Sequence, residues 1–175
     1  DDPDREELRL PLACPPDLEP LFGPLATPRT VTETFIKRTE TIGTSFLLPK
    51  FALGSINRGD LWNQRRPLLL HFGTAARPGY VQLRFLKNNY DFSSAIFTGA
   101  QREGLVLGAI HLITDGGDTH ISLDKVKAGK IRARDLRLRF EIGGPAAPQV
   151  RVTPAGFSTP DLNIAVTFAR ARFDG

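Results

Sequence analysis

The sequence contains a single cysteine, Cys14, and no methionine among its 175 residues. One cysteine excludes an intrachain disulfide and any cysteine-rich zinc site. With methionine missing even at the first position, the numbering is expected to begin at a processed or trimmed end. Long apolar runs are also lacking: the longest, residues 105–113 and 68–72, fall well short of the roughly 18 residues that a helical membrane span requires. There is no GxSxG elbow, no Walker loop and no GxGxxG turn, so the commonest hydrolase, nucleotide and dinucleotide signatures are excluded. Long amphipathic helical patterns between strands are missing as well, which argues against a parallel sheet with crossover helices.

What remains is an ordinary globular composition. Apolar residues make up 41% of the chain, and the 16 glycines raise the wider apolar class to about half. That length and composition fit one domain, or one domain with an arm. Charge is unevenly spread. Asp1, Asp2, Asp4, Glu6 and Glu7 stand against Arg5 alone at the start, so the rest of the chain is more basic than the formal net charge of +4. A basic body with an acidic leader suits an anionic partner such as an acidic polysaccharide. Arg132, Arg134, Arg137 and Arg139 alternate along one stretch, but exposed aromatics for base stacking are few, so nucleic acid is not the expected partner.

Residues 1–29 contain Pro3, Pro11, Pro15, Pro16, Pro20, Pro24 and Pro28. Each removes an amide donor and disfavours helix before it, so the segment reads as an acidic, Pro-rich arm or linker whose leucines can pin it to a surface. From residue 30 to 175 the pattern is that of a β domain. Residues 30–40 are rich in Thr, Val, Phe and Ile with neither face purely apolar, as in an edge strand or one covered on both sides. Residues 67–72 form a continuous apolar run. Residues 80–85 and 134–142 alternate cleanly, placing Val81, Leu83 and Phe85 on one side, and Leu136, Leu138, Phe140 and Ile142 likewise. Residues 94–98 and 105–114 read as strands joined by a hairpin turn at 101–104, and 163–173 as the last strand. Only residues 123–130 suggest a helical turn. The predicted fold is all-β, an antiparallel β-sandwich or jelly roll with a Pro-rich N-terminal arm.

Three segments gather chemistry-bearing residues. Residues 52–67 place Asn57, Arg58, Asp60, the only tryptophan, Trp62, and then Gln64, Arg65 and Arg66 between two expected strands. A sugar offers an apolar C–H face to an indole and hydroxyls to planar amides, and arginine grips a carboxylate or sulfate at two points. In the plainer alternative Trp62 plugs one end of the core and residues 57–60 form a turn. Arg58-Gly59-Asp60 matches a tripeptide of integrin ligands, a signal too short to carry weight. Residues 114–120 (TDGGDTH) bring Asp115, Asp118 and His120 around two glycines, a setting for calcium or for a base beside a carboxylate. The EF-hand pattern is incomplete, because Val126 occupies its twelfth position, and the alternative is a surface turn capped by Asp118. Residues 86–92 place Asn88 and Asn89 where a left-handed turn would suit them, with Tyr90 available to stack on a ligand. His71 and His111 fall in apolar strands, where core histidines are expected. Cys14 in the arm lacks the positioned base a nucleophile needs.

Residues 30–72, above all FALGSINRGDLWNQRRPLLLHF at 51–72, resemble the passage that enters the β-sheet part of heparinase-like polysaccharide lyases, which are built from an α/α toroid followed by β-sheets. The likeness lies in Gly54-Ser55, then Trp62 and Gln64, then the apolar strand. The resemblance implies a substrate cleft between toroid and sandwich, the arm as a linker, Trp62, Gln64 and Arg65 facing that cleft, and His120 as the sandwich's contribution to a site. The helical half has no counterpart in this sequence.

The expectation is therefore a secreted or periplasmic carbohydrate-binding or accessory β-sandwich domain, part of a polysaccharide-degrading protein. Its expected partner is an anionic glycan, with no cofactor (calcium at Asp115 and Asp118 being the exception to test) and no enzymatic activity of the chain alone. Ligand contacts are assigned to Trp62, Gln64, Arg65, Arg66, Tyr90, Asp115 and Asp118. The alternatives are a structural domain that binds a protein partner through its N-terminal arm, and a small β-barrel enzyme using Asp115, Asp118 and His120.

Overall fold

The computed structural model describes residues 13–21, 23, 25–61, 66–112, 131–160 and 162–167. The chain is all-β and its strands pair antiparallel throughout the described residues. In chain order the strands are β1 (Arg29–Ile36), β2 (Thr41–Leu48), β3 (Phe51–Ile56), β4 (Arg58–Asp60), β5 (Leu68–Thr74), β6 (Arg77–Lys87) and β7 (Tyr90–Asp91). They continue as β8 (Ala95–Arg102), β9 (Leu105–Leu112), β10 (Leu136–Gly143), β11 (Arg151–Thr153), β12 (Gly156–Thr159) and β13 (Leu162–Ala165). Seven of them form one large sheet in the order β1-β2-β3-β5-β6-β10, with β7 beside the tip of β6. Among the described residues two further sheets are three-stranded, β4-β8-β9 and β11-β12-β13.

Short turns account for most of the antiparallel pairing. Asn88 and Asn89 both take positive φ, 50° and 71°, between β6 and β7. A two-residue hairpin loop whose twist matches its strands needs positive φ at both positions, and asparagine tolerates it better than most residues. Glu40 ends a 3-10 turn after β1 in the left-handed conformation, its amide bonded to the Lys37 carbonyl. Strand β1 thus stops at Ile36, earlier than the expected strand to residue 40, and it forms an edge of the large sheet.

Period-2 patterning decides which face is buried. Phe46, Leu53, Leu70, Val81 and Ile142 are successive cross-strand partners on β2, β3, β5, β6 and β10, so one face of the large sheet is apolar. Both small sheets pack on that face. At one part of it Leu83 and Phe85 meet Ala95 and Phe97 of β8, with Leu61 and Phe92 fully buried beside them. At another, Leu70, Phe72 and Val81 meet Phe157 of β12, and the Phe140 and Phe157 rings lie 5.8 Å apart. Burying side chains of this size stabilises the fold by about 1.5–3 kcal/mol each relative to exposure.

The opposite face of the large sheet carries polar groups. Ser45, Gly54, Leu69, Gln82 and Glu141 are partners there, one position along from the apolar row. His71 shares that side and is exposed, as is His111 on β9, so neither is a core histidine. Alternation puts the imidazole away from the core wherever its neighbours, such as Leu70 and Phe72, point inward.

Two further expectations are corrected. Residues 52–67 are not one loop: β3 and β4 occupy 51–60, and the Arg-Gly-Asp tripeptide is β4 itself, with Asp60 only 4% exposed. Asp60 is therefore not displayed on a loop tip. Strand β13 ends at Ala165, Val166 still donates to the Ala155 carbonyl (2.9 Å), and residues 168–173 of the expected strand lie outside the described residues. The helical turn expected at 123–130 lies outside the described residues. In the arm, residues 13–20 are exposed, and a 3-10 turn spans Glu19–Leu21. Among the described residues no helix is long and apolar enough to cross a membrane.

Candidate functional site

Every passage between the large sheet and the β4-β8-β9 sheet lies at the same end of the fold. The first is the step from β3 to β4 through Asn57, which is tied down by four hydrogen bonds. Its amide donates to the Ile42 carbonyl (2.9 Å), and its own carbonyl accepts from Gly99 (2.8 Å). Its side chain accepts from the Ile42 amide (2.8 Å) and donates to the Glu40 carbonyl (2.9 Å). The second passage leaves the small sheet after Leu61, whose amide donates to the Ala95 carbonyl (3.0 Å). It rejoins the large sheet at Pro67, whose carbonyl accepts from Ile56 (3.0 Å).

The third passage is Phe92-Ser93-Ser94, all buried, between β7 and β8. The fourth leaves at Leu112, the partner of Ala95, and returns beside Asn88. There the Asn88 side-chain oxygen accepts from the amides of Arg134 (2.7 Å) and Asp135 (3.3 Å), and the Asn88 amide donates to the Asp135 carbonyl (2.9 Å).

All three segments that the sequence singled out thus depart from this crossover end. Of their residues, Trp62, Gln64, Arg65, Asp115, Asp118 and His120 lie outside the described residues. Arg66 and Tyr90 are described. Arg66 is exposed where the chain re-enters the large sheet, and Tyr90 is 79% exposed next to the β6–β7 turn. Arg132 and Arg134 are exposed on the returning segment. Two described carboxylates nearby are engaged by arginines, Asp91 with Arg84 and Asp135 with Arg137 at 2.7 Å, and a third, Asp60, is buried. Among the described residues, the exposed side chains here include Arg66, Tyr90, Arg132 and Arg134.

The Arg84 cluster sits on the polar face behind this end. Its guanidinium holds Asp91 in a two-pronged grip (2.9 and 2.8 Å) and donates a third bond to Glu141 (2.5 Å). The hydrogen bond from Arg84 holds the Glu141 carboxyl below its usual range, and the same two carboxylates bind the proton of Arg84 more firmly. This cluster joins β6, β7 and β10. Among the described residues no group of three His, Cys, Asp or Glu side chains is placed to hold a metal ion.

Sequence reasoning missed a second feature. Between the β8–β9 turn and the β12–β13 hairpin, a cleft of about 280 Å³ reaches down to the apolar face of the large sheet. Leu53, Leu70, Val81, Leu83 and Phe140 form its floor, Gly104 and Leu105 one wall, and Phe157, Ile164 and Ala165 the other. The legible signal was the width of that face: four adjacent strands present apolar residues at every second position, more than either short hairpin can cover.

Comparison of the chain with family models, with curated proteins and with solved structures finds no match.

Proposed function

We propose that the chain is a carbohydrate-binding β domain that engages an anionic polysaccharide at its crossover end, as an accessory part of a polysaccharide-degrading protein. The observation that carries this reading is the convergence of the three segment stems on one end, where Tyr90, Arg66, Arg132 and Arg134 are exposed. Aromatic rings and guanidinium groups are the side chains that grip a sugar face and its carboxylate or sulfate. Trp62, Gln64 and Arg65 would add the same chemistry from the passage between β4 and β5.

The test is a glycan array that includes uronic-acid and sulfated polymers, read at two salt concentrations. Binding should be selective for anionic glycans and should weaken with salt, because exposed charges are screened. Trp62→Ala and Tyr90→Ala should each lower affinity about tenfold, the scale of one lost stacking contact. Salt-insensitive binding, or none, would remove the reading. The exposure of residues 13–20 favours a second reading, an arm that docks on a protein partner. Deleting residues 1–29 should leave glycan binding intact in the first case and abolish partner binding in the second.

A further inference from the structure

The cleft on the apolar face has none of Arg66, Tyr90, Arg132 or Arg134 among its described lining residues and has a chemistry of its own. Among its described lining residues none is charged, and Asn163, exposed at the rim, is the sole side chain with a hydrogen-bonding group. A slot lined this way offers water almost no partners, so its ordinary content is apolar. An apolar cavity of about 150 Å³ accommodates a benzene-sized ligand. At about 280 Å³, this one has room for on the order of ten carbon atoms.

Its shape narrows the choice. The floor runs across the strands from Leu53 on β3, through Leu70 on β5 and Val81 and Leu83 on β6, to Phe140 on β10. Four strands at the ordinary spacing make that trough ~14 Å long. The two hairpins wall it on either side. A trough of that length, without charge, complements an uncharged extended chain. It is also too small to supply the roughly 800 Å² per partner that a stable second copy of the protein would bury.

We propose that this cleft binds the alkyl chain of a single-tailed amphiphile, about ten carbons long, with the polar end of the molecule leaving past Asn163 to solvent. Leu105, which is 70% exposed although it lines the cleft, gains cover from the bound chain.

The experiment is titration calorimetry of the full chain with straight 1-alkanols and alkanoates of six to sixteen carbons, each kept below its aggregation concentration. Affinity should rise about fourfold per added methylene and level off near ten carbons. Ala165→Trp fills the slot from an exposed position, and Leu105→Asp charges its wall; each should weaken decanol binding at least tenfold. Arg139→Ala, at an exposed position outside the described cleft lining, should leave it unchanged. The proposal is overturned if no member of the series binds at millimolar concentration. It is equally overturned if both folded variants keep the wild-type chain-length profile. Sedimentation showing a dimer that Leu105→Asp dissolves would assign the cleft to a second copy and overturn it too. Glycan binding and alkyl binding are read separately, so either proposal can fail alone.

Discussion

Asn57, half-buried at the corner between two sheets, is bonded through its side chain as well as its backbone. Its side chain receives the Ile42 amide and supplies the Glu40 carbonyl, closing the corner where the chain leaves one sheet for the other. In Asn57→Ala both groups lose their partner, and urea unfolding should show a loss of about 1–3 kcal/mol; an unmoved midpoint would mean the corner is set by its backbone bonds alone. Glu141 carries a pH signature. Because Arg84 lowers its folded-state value, its contribution is fully present above the unfolded carboxylate value of about 4.5 and is lost as pH falls through the depressed value. Wild type should therefore weaken in acid more steeply than Glu141→Gln. Near neutrality the variant should be less stable by on the order of 1 kcal/mol, since the pair is partly exposed and screened. Acid titration of the thermal midpoint in both proteins checks the slope.

At the scale of elements, what could be read from the residues followed from how strictly they alternate. Strands β6 and β10 were legible because Val81, Leu83 and Phe85, and Leu136 through Ile142, obey period 2 with polar or charged residues between. Strands β3 and β4 were not: Gly54, Ser55 and Gly59 interrupt the apolar rhythm, and the pairing that makes them strands is supplied by distant neighbours on β2, β5 and β8. Strands β11 and β12 are too short to show a period. The stems of the candidate site could be located from the segments themselves, whereas the cleft could not, because it is a gap between two hairpins more than fifty residues apart. Glycine also acts here by making room. Gly99 and Gly108 are partners on β8 and β9, and the Phe97 ring occupies the space a Cβ would need at either position. Gly108→Val should displace that ring from the core and cost about 1–3 kcal/mol by overpacking. A thermal midpoint within a degree of wild type would contradict this placement of Phe97.

For the whole molecule, the β4-β8-β9 sheet is tied to the large sheet by its connecting segments and by side chains ahead of the β8–β9 turn. Gln101 is the staple there, accepting from the Ser55 hydroxyl (2.7 Å) and donating to the carbonyls of Leu53 (2.9 Å) and Glu103 (3.0 Å). Gln101→Ala should therefore loosen the molecule unevenly. Hydrogen exchange at Val106 and Leu107 should accelerate about tenfold, while Ala95 and Leu61 beside the crossovers keep wild-type protection. Uniform acceleration would indicate global destabilisation instead. The pairing of β6 with β10 has an outcome for biosynthesis. Leu83 and Phe85 find Phe140 and Leu138 only after roughly fifty further residues have been added. At ribosomal speeds of about 5–20 residues per second, the hydrogen-bonding edge of β6 waits several seconds for its mate. Throughout that interval the nascent chain presents a ready template for mispairing, and a chaperone that shields it should raise the yield of correctly assembled protein.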